Sequence, residues 1–242
     1  MFLRFVTRSR DYETSIYEVR GKDSDILNVY VFSSEPTRRV INKPEIVGYE
    51  FGGMLRGGIE EYLMNIPPDE KEKIRVMDER DINICIIMRG GLNFDPSEAL
   101  YKTFGINRAS ISFLTSQRYR DENGEWHVRD NEYTKIVAKP GMMVFMGDII
   151  ATGTTFAQSM ERLIEGVKSK GGSIKQIYVF TVGSDRAIDI ADEYSKYMLD
   201  IFPEYEGTQL IFMEGIFGLA EEDKGPSIRT VSYTHLTLPT KA

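Results

Sequence analysis

Two short runs in this chain carry residue types suited to holding a phosphorylated ligand. The first is Gly147-Asp148-Ile149-Ile150-Ala151-Thr152-Gly153-Thr154-Thr155. Thr152, Thr154 and Thr155 offer hydroxyl donors. Gly153 can adopt positive φ and lets an anion approach the backbone closely. A helix begins at the same point, because apolar residues recur at helical spacing from Phe156 onward. Its unpaired N–H groups and dipole favour negative charge. Asp148 would repel a phosphate head-on, so it is expected to face neutral hydroxyls or a cation. The second run is Met88-Arg89-Gly90-Gly91-Leu92. Its glycines permit a strained turn, and Arg89 presents a planar fork of donors that matches phosphate. Each run also has an ordinary reading. Threonines at a helix start can cap their own first turn, and an Arg-Gly-Gly turn alone is common.

The elements that must position these runs are clearest after Ile82. Ile82 to Met88 and Met142 to Met146 are nearly unbroken apolar runs, as expected of strands covered on both faces. Ala109 to Leu114, Glu132 to Val137, Ile174 to Val182 and Leu210 to Met213 read as further strands. Helices are expected over Pro96 to Phe104, from Phe156 through Val167 with a stop at Gly171-Gly172, and over Asp185 to Phe202. Such alternation implies an α/β fold, a parallel sheet with helices on both faces. Ligands of such sheets bind outside the carboxyl ends of the strands, where both runs fall. Before Asp78 the pattern is weaker. Ile26 to Phe32 reads as a strand and Pro44 to Ile66 as a helix, although Gly52, Gly53, Gly57 and Gly58 disfavour it. Between the two runs, Thr115 to Asn131 is polar, and Asn123-Gly124 marks the tip of a β-hairpin.

Composition bounds the rest. The chain has 242 residues, 41% of them apolar and 28% charged, with a formal net charge of −7. This is an ordinary globular balance, without the basic face of a nucleic-acid binder. Cys85 is the single cysteine, so neither an internal disulfide nor a Cys/His zinc site is expected. No stretch is long and apolar enough to span a membrane, and Met1 to Arg8 lacks the apolar segment of a signal peptide. A cytoplasmic location is therefore expected. The run Val231-Ser232-Tyr233-Thr234-His235-Leu236-Thr237-Leu238-Pro239-Thr240 resembles one frame of a transposon-end sequencing adapter read through as coding sequence. On that reading residues 231–242 are a non-native tail, His235 has no role, and His127 is the remaining histidine. The alternative is a short native strand.

Offsets in the first run closely resemble the diphosphoribose-binding signature of type I phosphoribosyltransferases. In that signature an apolar strand leads into two acids, two intervening residues and then Ala/Thr-Thr-Gly-x-Thr. Met88 to Leu92 is similar to the family's pyrophosphate loop, in the Arg-Gly-Gly-Leu form of some purine-salvage members. Tyr119-Arg120-Asp121-Glu122 with Tyr133-Thr134-Lys135 resembles the uracil-using branch. The resemblance covers roughly residues 82–213. It implies one domain over residues 1–230, with a core at 79–213 and a small hood from 1–78 and 214–230. It also implies transfer of 5-phosphoribosyl from phosphoribosyl diphosphate to a nucleobase nitrogen, with Mg²⁺, in nucleotide salvage by a homo-oligomer. Ala151, Thr152, Gly153, Thr154 and Thr155 would hold the 5′-phosphate. Arg89, Gly90 and Gly91 would hold pyrophosphate, with Arg89 also stabilising the leaving group. Asp148 would hold the ribose diol or a metal-bound water. Arg118 or Arg120, on a loop that closes over the site, would reach the pyrophosphate. One residue departs from the signature: Gly147 stands where the family has the first of its two acids. That departure leaves open a regulator that binds phosphoribosyl diphosphate on the same fold without effective catalysis.

Overall fold

The structure, a computed structural model, describes residues 2–8, 14–20, 24–88, 90–115, 117–120, 126–129 and 133–218. In chain order the strands and helices are β1 (Phe2–Arg8), β2 (Ser15–Arg20), β3 (Leu27–Ser33), α1 (Glu35–Asn42), α2 (Gly48–Asn65), α3 (Pro68–Arg75), β4 (Ile82–Ile87) and α4 (Ser97–Phe104). They continue with β5 (Ser110–Leu114), β6 (Gln117–Arg120), β7 (Trp126–Arg129), β8 (Met142–Ile150), α5 (Thr154–Ser169), β9 (Ile174–Ser184), α6 (Arg186–Ile201) and β10 (Gly207–Phe217). Eight strands form one sheet in the order β1-β2-β3-β10-β9-β8-β4-β5. From β3 to β5 all neighbours are parallel, while β1 and β2 add antiparallel strands beside β3. The expected α/β class, a parallel sheet flanked by helices, is the one found.

Burial explains why the central strands read as continuous apolar runs. Every residue of β4 and of β8 is buried, because helices cover both faces. On one face Val144, Met146 and Ile150 pack against Phe156, Met160, Leu163 and Ile164 of α5 and Ala187, Ile188 and Ala191 of α6. On the other, Phe145 and Ile149 belong to a core with Leu55, Ile59 and Leu63 of α2 and Leu100 of α4. The side-chain alternation of a strand, period two, divides β8 between the two cores.

Several expected boundaries move. β8 does not stop at Met146 but runs to Ile150, so Gly147 and Asp148 are strand residues rather than loop residues. Residues 133–137, expected within a strand, contribute only an isolated bridge between Lys135 and Phe113. The helix expected from Pro44 begins at Gly48. Of its glycines, Gly58 admits a neighbouring helix: a Cβ there would lie 2.5 Å from Thr37 Cγ2 on α1. Helix α1 itself was hidden in the sequence, although Ser34 and Thr37 form its capping box. In the segment before Asp78, β3 lies in the main sheet beside β10.

Cys85 is the structural residue that its apolar surroundings suggested. It is 1% exposed, and burial pushes its thiol up to about 12. In the unfolded chain a thiol titrates near 8.5. The neutral folded thiol therefore stabilises the fold fully below about pH 8.5, and that contribution is lost as pH rises toward 12. Native protein at pH 8 is expected to react negligibly with an aromatic disulfide reagent, and protein in guanidinium with one equivalent. Full reaction of the native protein within minutes would contradict this burial.

Candidate functional site

The order of the sheet locates a crevice before any side chain is considered. From β4 the chain passes to β5 on one side, then crosses to β8 on the other. A reversal of this kind opens a cleft at the carboxyl ends of the two strands. Both loops singled out in the sequence lie there. Ile86 of β4 pairs with Gly147 of β8, so β4 ends just past this level while β8 continues to Ile150.

After β4 the chain makes a short 3₁₀ turn, Gly90–Phe94, that folds onto the end of β8. The turn and the strand interlock through glycines. A Cβ on Gly91 would lie 2.8 Å from the Gly147 carbonyl oxygen, and a Cβ on Gly90 would overlap Asp148 Oδ1. A Cβ on Gly147 would lie 2.5 Å from Phe94 Cβ and 2.9 Å from the Phe180 carbonyl. Phe94 is fully buried in this position. The acid that the signature places at 147 is thus absent for a steric reason: the aromatic ring of the turn fills its space.

Asp148 is 5% exposed. Its Oδ1 accepts the Ile149 N–H at 2.8 Å, and its own carbonyl accepts Thr181 Oγ1 of β9 at 2.9 Å. The carboxylate is therefore oriented by backbone on its own strand and lies directly under the Gly90 turn. Burying such a group without partners would be costly, and its bond to the Ile149 amide offsets part of that cost.

Beyond Ile150 the connection to α5 is only Ala151–Gly153. Gly153 sits at the N-cap of α5 with φ 82°, a conformation that L side chains rarely adopt. No side chain caps the helix. Thr152 and Thr154 are exposed with their hydroxyls 3.3 Å apart, and Thr155 is half-buried. A tight turn, a helix N-terminus without a side-chain cap and exposed hydroxyls are the groups from which an anion site could be built.

Two residues at this site were missed in the sequence. Ser184, at the carboxyl end of β9 and 2% exposed, donates its hydroxyl to the Ala151 carbonyl at 2.5 Å and accepts the Arg186 N–H at 3.3 Å. Arg186 opens α6 beside Gly153. The rule that drew attention to the ends of β4 and β8 applies equally to the end of β9, so position after an apolar strand was the available signal.

The polar stretch after β5 contains two short paired strands. Strands β6 and β7 pair antiparallel from Gln117↔Arg129 to Arg120↔Trp126. Its base is clamped: Thr115 Oγ1 donates to the Tyr133 carbonyl at 2.8 Å, and Arg162 of α5 donates to the Thr115 carbonyl at 2.9 Å. Arg118 and Arg120 lie on β6. Arg89 and the expected hairpin tip at 121–125 lie outside the described residues. Among the described residues no cluster of three or more His, Cys, Asp or Glu side chains could hold a metal ion.

No protein-family model and no curated protein matches the chain. Solved structures do. The AQ2163 protein from Aquifex aeolicus matches with a TM-score of 0.52 at 13% identity, over 80% of this chain and 89% of that one. The shared feature at this identity is the fold. A purine phosphoribosyltransferase from Pyrococcus horikoshii Ot3 matches with a TM-score of 0.36 at 16% identity, over 74% of this chain and 97% of that one. An adenine phosphoribosyltransferase from Trypanosoma brucei, solved with AMP, pyrophosphate and ribose-5-phosphate, matches with a TM-score of 0.42 at 11% identity, over 83% and 89%.

Proposed function

We propose that this chain is a type I phosphoribosyltransferase, transferring the 5-phosphoribosyl group of phosphoribosyl diphosphate to a nucleobase nitrogen. The observation that carries this reading is the interlock of the Gly90–Phe94 turn with Gly147 and Asp148 at the reversal point of the sheet. It sets the two candidate loops at one end of the sheet, which supports a substrate with a phosphate at one end and a diphosphate at the other. In the reaction the bond from C1′ to the diphosphate oxygen breaks, pyrophosphate leaves with that electron pair, and the base nitrogen forms the new bond and loses its proton. Ala151 to Thr155 would fix the 5′-phosphate and so the position of C1′, supplying orientation. Gly90 and Gly91 would take the pyrophosphate on backbone amides, with Arg89 balancing its charge. Asp148 would stabilise positive charge developing on the sugar.

Magnesium fits this site only in a limited way. Among the described residues Asp148 is the carboxylate in contact with the Gly90 turn, which suits an ion held mainly by substrate oxygens and water. Bound there, it would neutralise charge on the diphosphate. Assembly as a homo-oligomer and a cytoplasmic role in nucleotide salvage belong to the same proposal.

A second reading has a specific observation behind it. With Phe94 in the place of the first acid, one carboxylate serves where the signature has two. A regulator that binds phosphoribosyl diphosphate without turnover is consistent with that loss. The deciding experiment measures pyrophosphate release from phosphoribosyl diphosphate and Mg²⁺ with uracil, orotate, adenine, guanine, hypoxanthine and xanthine in turn. Base-dependent release with one or two of them is expected. Tight binding of phosphoribosyl diphosphate with no release for any base would favour the regulator. Absence of binding would remove both readings.

A further inference from the structure

We propose that Arg186 is a phosphate-binding residue of the Ala151–Thr155 loop, and that the buried Ser184 hydroxyl holds it there. This rests on the reading of that loop as the 5′-phosphate site.

Three observations converge on it. The first is placement. Arg186 is the first residue of α6, and its Cβ lies 3.9 Å from where a Cβ on Gly153 would stand. A helical side chain leans toward the N-terminus of its helix. From the first position of α6 that direction leads out over the carboxyl edge of the sheet, to the mouth of the loop. The second is freedom. Arg186 is exposed, and its side chain makes no ion pair or hydrogen bond among the described residues, although Asp185 precedes it and Asp189 lies one turn on. The third is attachment. The Ser184 hydroxyl donates to the Ala151 carbonyl and accepts the Arg186 amide, so one buried atom ties the loop to the start of α6. Ile190, one turn along α6, fills the space that a side chain on Gly153 would need.

The physical need is plain. The chain carries a net charge of −7, and the loop itself supplies only neutral donors. A guanidinium at its mouth both draws in a phosphate dianion and pairs with it through two parallel hydrogen bonds. Because the ligand's two anionic ends occupy different loops, Arg186 should discriminate between them. It should act on ribose 5-phosphate and leave free pyrophosphate to the Gly90 turn.

The test is titration calorimetry on the full chain with three probes: phosphoribosyl diphosphate with Mg²⁺, ribose 5-phosphate, and pyrophosphate with Mg²⁺. Arg186→Ala is expected to weaken the first two about 10- to 50-fold, as loss of a charge-assisted pair does, and to leave pyrophosphate within about twofold. Arg186→Lys should recover part of the affinity, since charge is kept and the planar fork is lost. Arg108→Ala, an exposed arginine before β5 at the opposite edge of the sheet, controls for net charge and should change nothing. Equal affinities in wild type and Arg186→Ala would overturn the role of Arg186 while leaving the loop assignment standing. Equal weakening of all three probes, or by Arg108→Ala as well, would also overturn it. A wild-type protein that binds neither phosphoribosyl diphosphate nor ribose 5-phosphate would remove the loop assignment and Arg186 with it. Ser184→Ala should keep the far-ultraviolet spectrum and show a smaller loss on the same two probes. No loss on either would overturn its positioning role.

Discussion

Restoring the missing acid by Gly147→Asp is expected to destabilise the fold by about 3 kcal/mol or more, rather than to improve catalysis. The new Cβ would stand 2.5 Å from Phe94 Cβ and 2.9 Å from the Phe180 carbonyl, in a strand whose every residue is buried. Overpacking a filled core costs roughly 1–3 kcal/mol. A buried acceptor left without a donor adds about 1–3 kcal/mol more. In a domain of this size each kcal/mol lowers Tm by roughly 2–4 °C, so a fall of about 6–12 °C is expected. Chemical denaturation gives the free energy directly. Phe94→Ala alone should also destabilise, by about 3–5 kcal/mol. Combined with Gly147→Asp it should cost less than the sum, because the two changes share one volume. Wild-type stability in Gly147→Asp would show that the ring does not occupy that space.

Asp148→Asn should do the reverse, sparing the fold and reducing turnover. Asparagine keeps a carbonyl oxygen to accept the Ile149 amide, the bond that now orients Asp148 Oδ1. Its volume is nearly the same, so the Gly90 turn above it need not move. The negative charge is what disappears. If Asp148 stabilises positive charge on the sugar, kcat should fall on the order of 100-fold, the size typical of losing one preorganised electrostatic group. On the proposed reading, in which the two loops hold the phosphates, affinity for phosphoribosyl diphosphate should change less than about threefold. Steady-state kinetics beside calorimetry separates the two quantities. A kcat equal to wild type would remove Asp148 from the chemistry and strengthen the regulator reading.

Legibility in the sequence followed burial. Strands β4 and β8 stood out because both of their faces are covered, and α5 and α6 because one stripe of each is. The pairing of β6 with β7 agrees with a hairpin, while Asn123-Gly124, read as its tip, lie outside the described residues. Helix α1 was not legible, since its eight residues, Glu-Pro-Thr-Arg-Arg-Val-Ile-Asn, bury only Thr37 and Val40. The end of β8 was misplaced because Gly147 and Asp148 look like loop residues. Only the fold reveals that one yields to Phe94 and the other caps its neighbour's amide. The extension of β10 to Phe217 was hidden for a similar reason. Its register shifts between Phe212 and Ile216, where Glu214 adopts a φ of 67°. That carboxylate accepts Ser33 Oγ and the Ser34 amide, with Thr37 Oγ1 as a third donor. The partners lie about 180 positions away in the chain, beyond the reach of any local pattern. At the site, Thr152 to Thr155 were found by residue type, whereas Ser184 and Arg186 are defined by what they touch.

The burial of Cys85 has a practical corollary. With its single cysteine shut inside β4 and protonated at any ordinary pH, the native surface carries no thiol that competes for a probe. A cysteine introduced at exposed Thr154 could be labelled in the otherwise unaltered sequence, and its fluorescence or spin signal would report on the loop alone. Ligand binding in the cleft could then be followed in real time, with or without turnover.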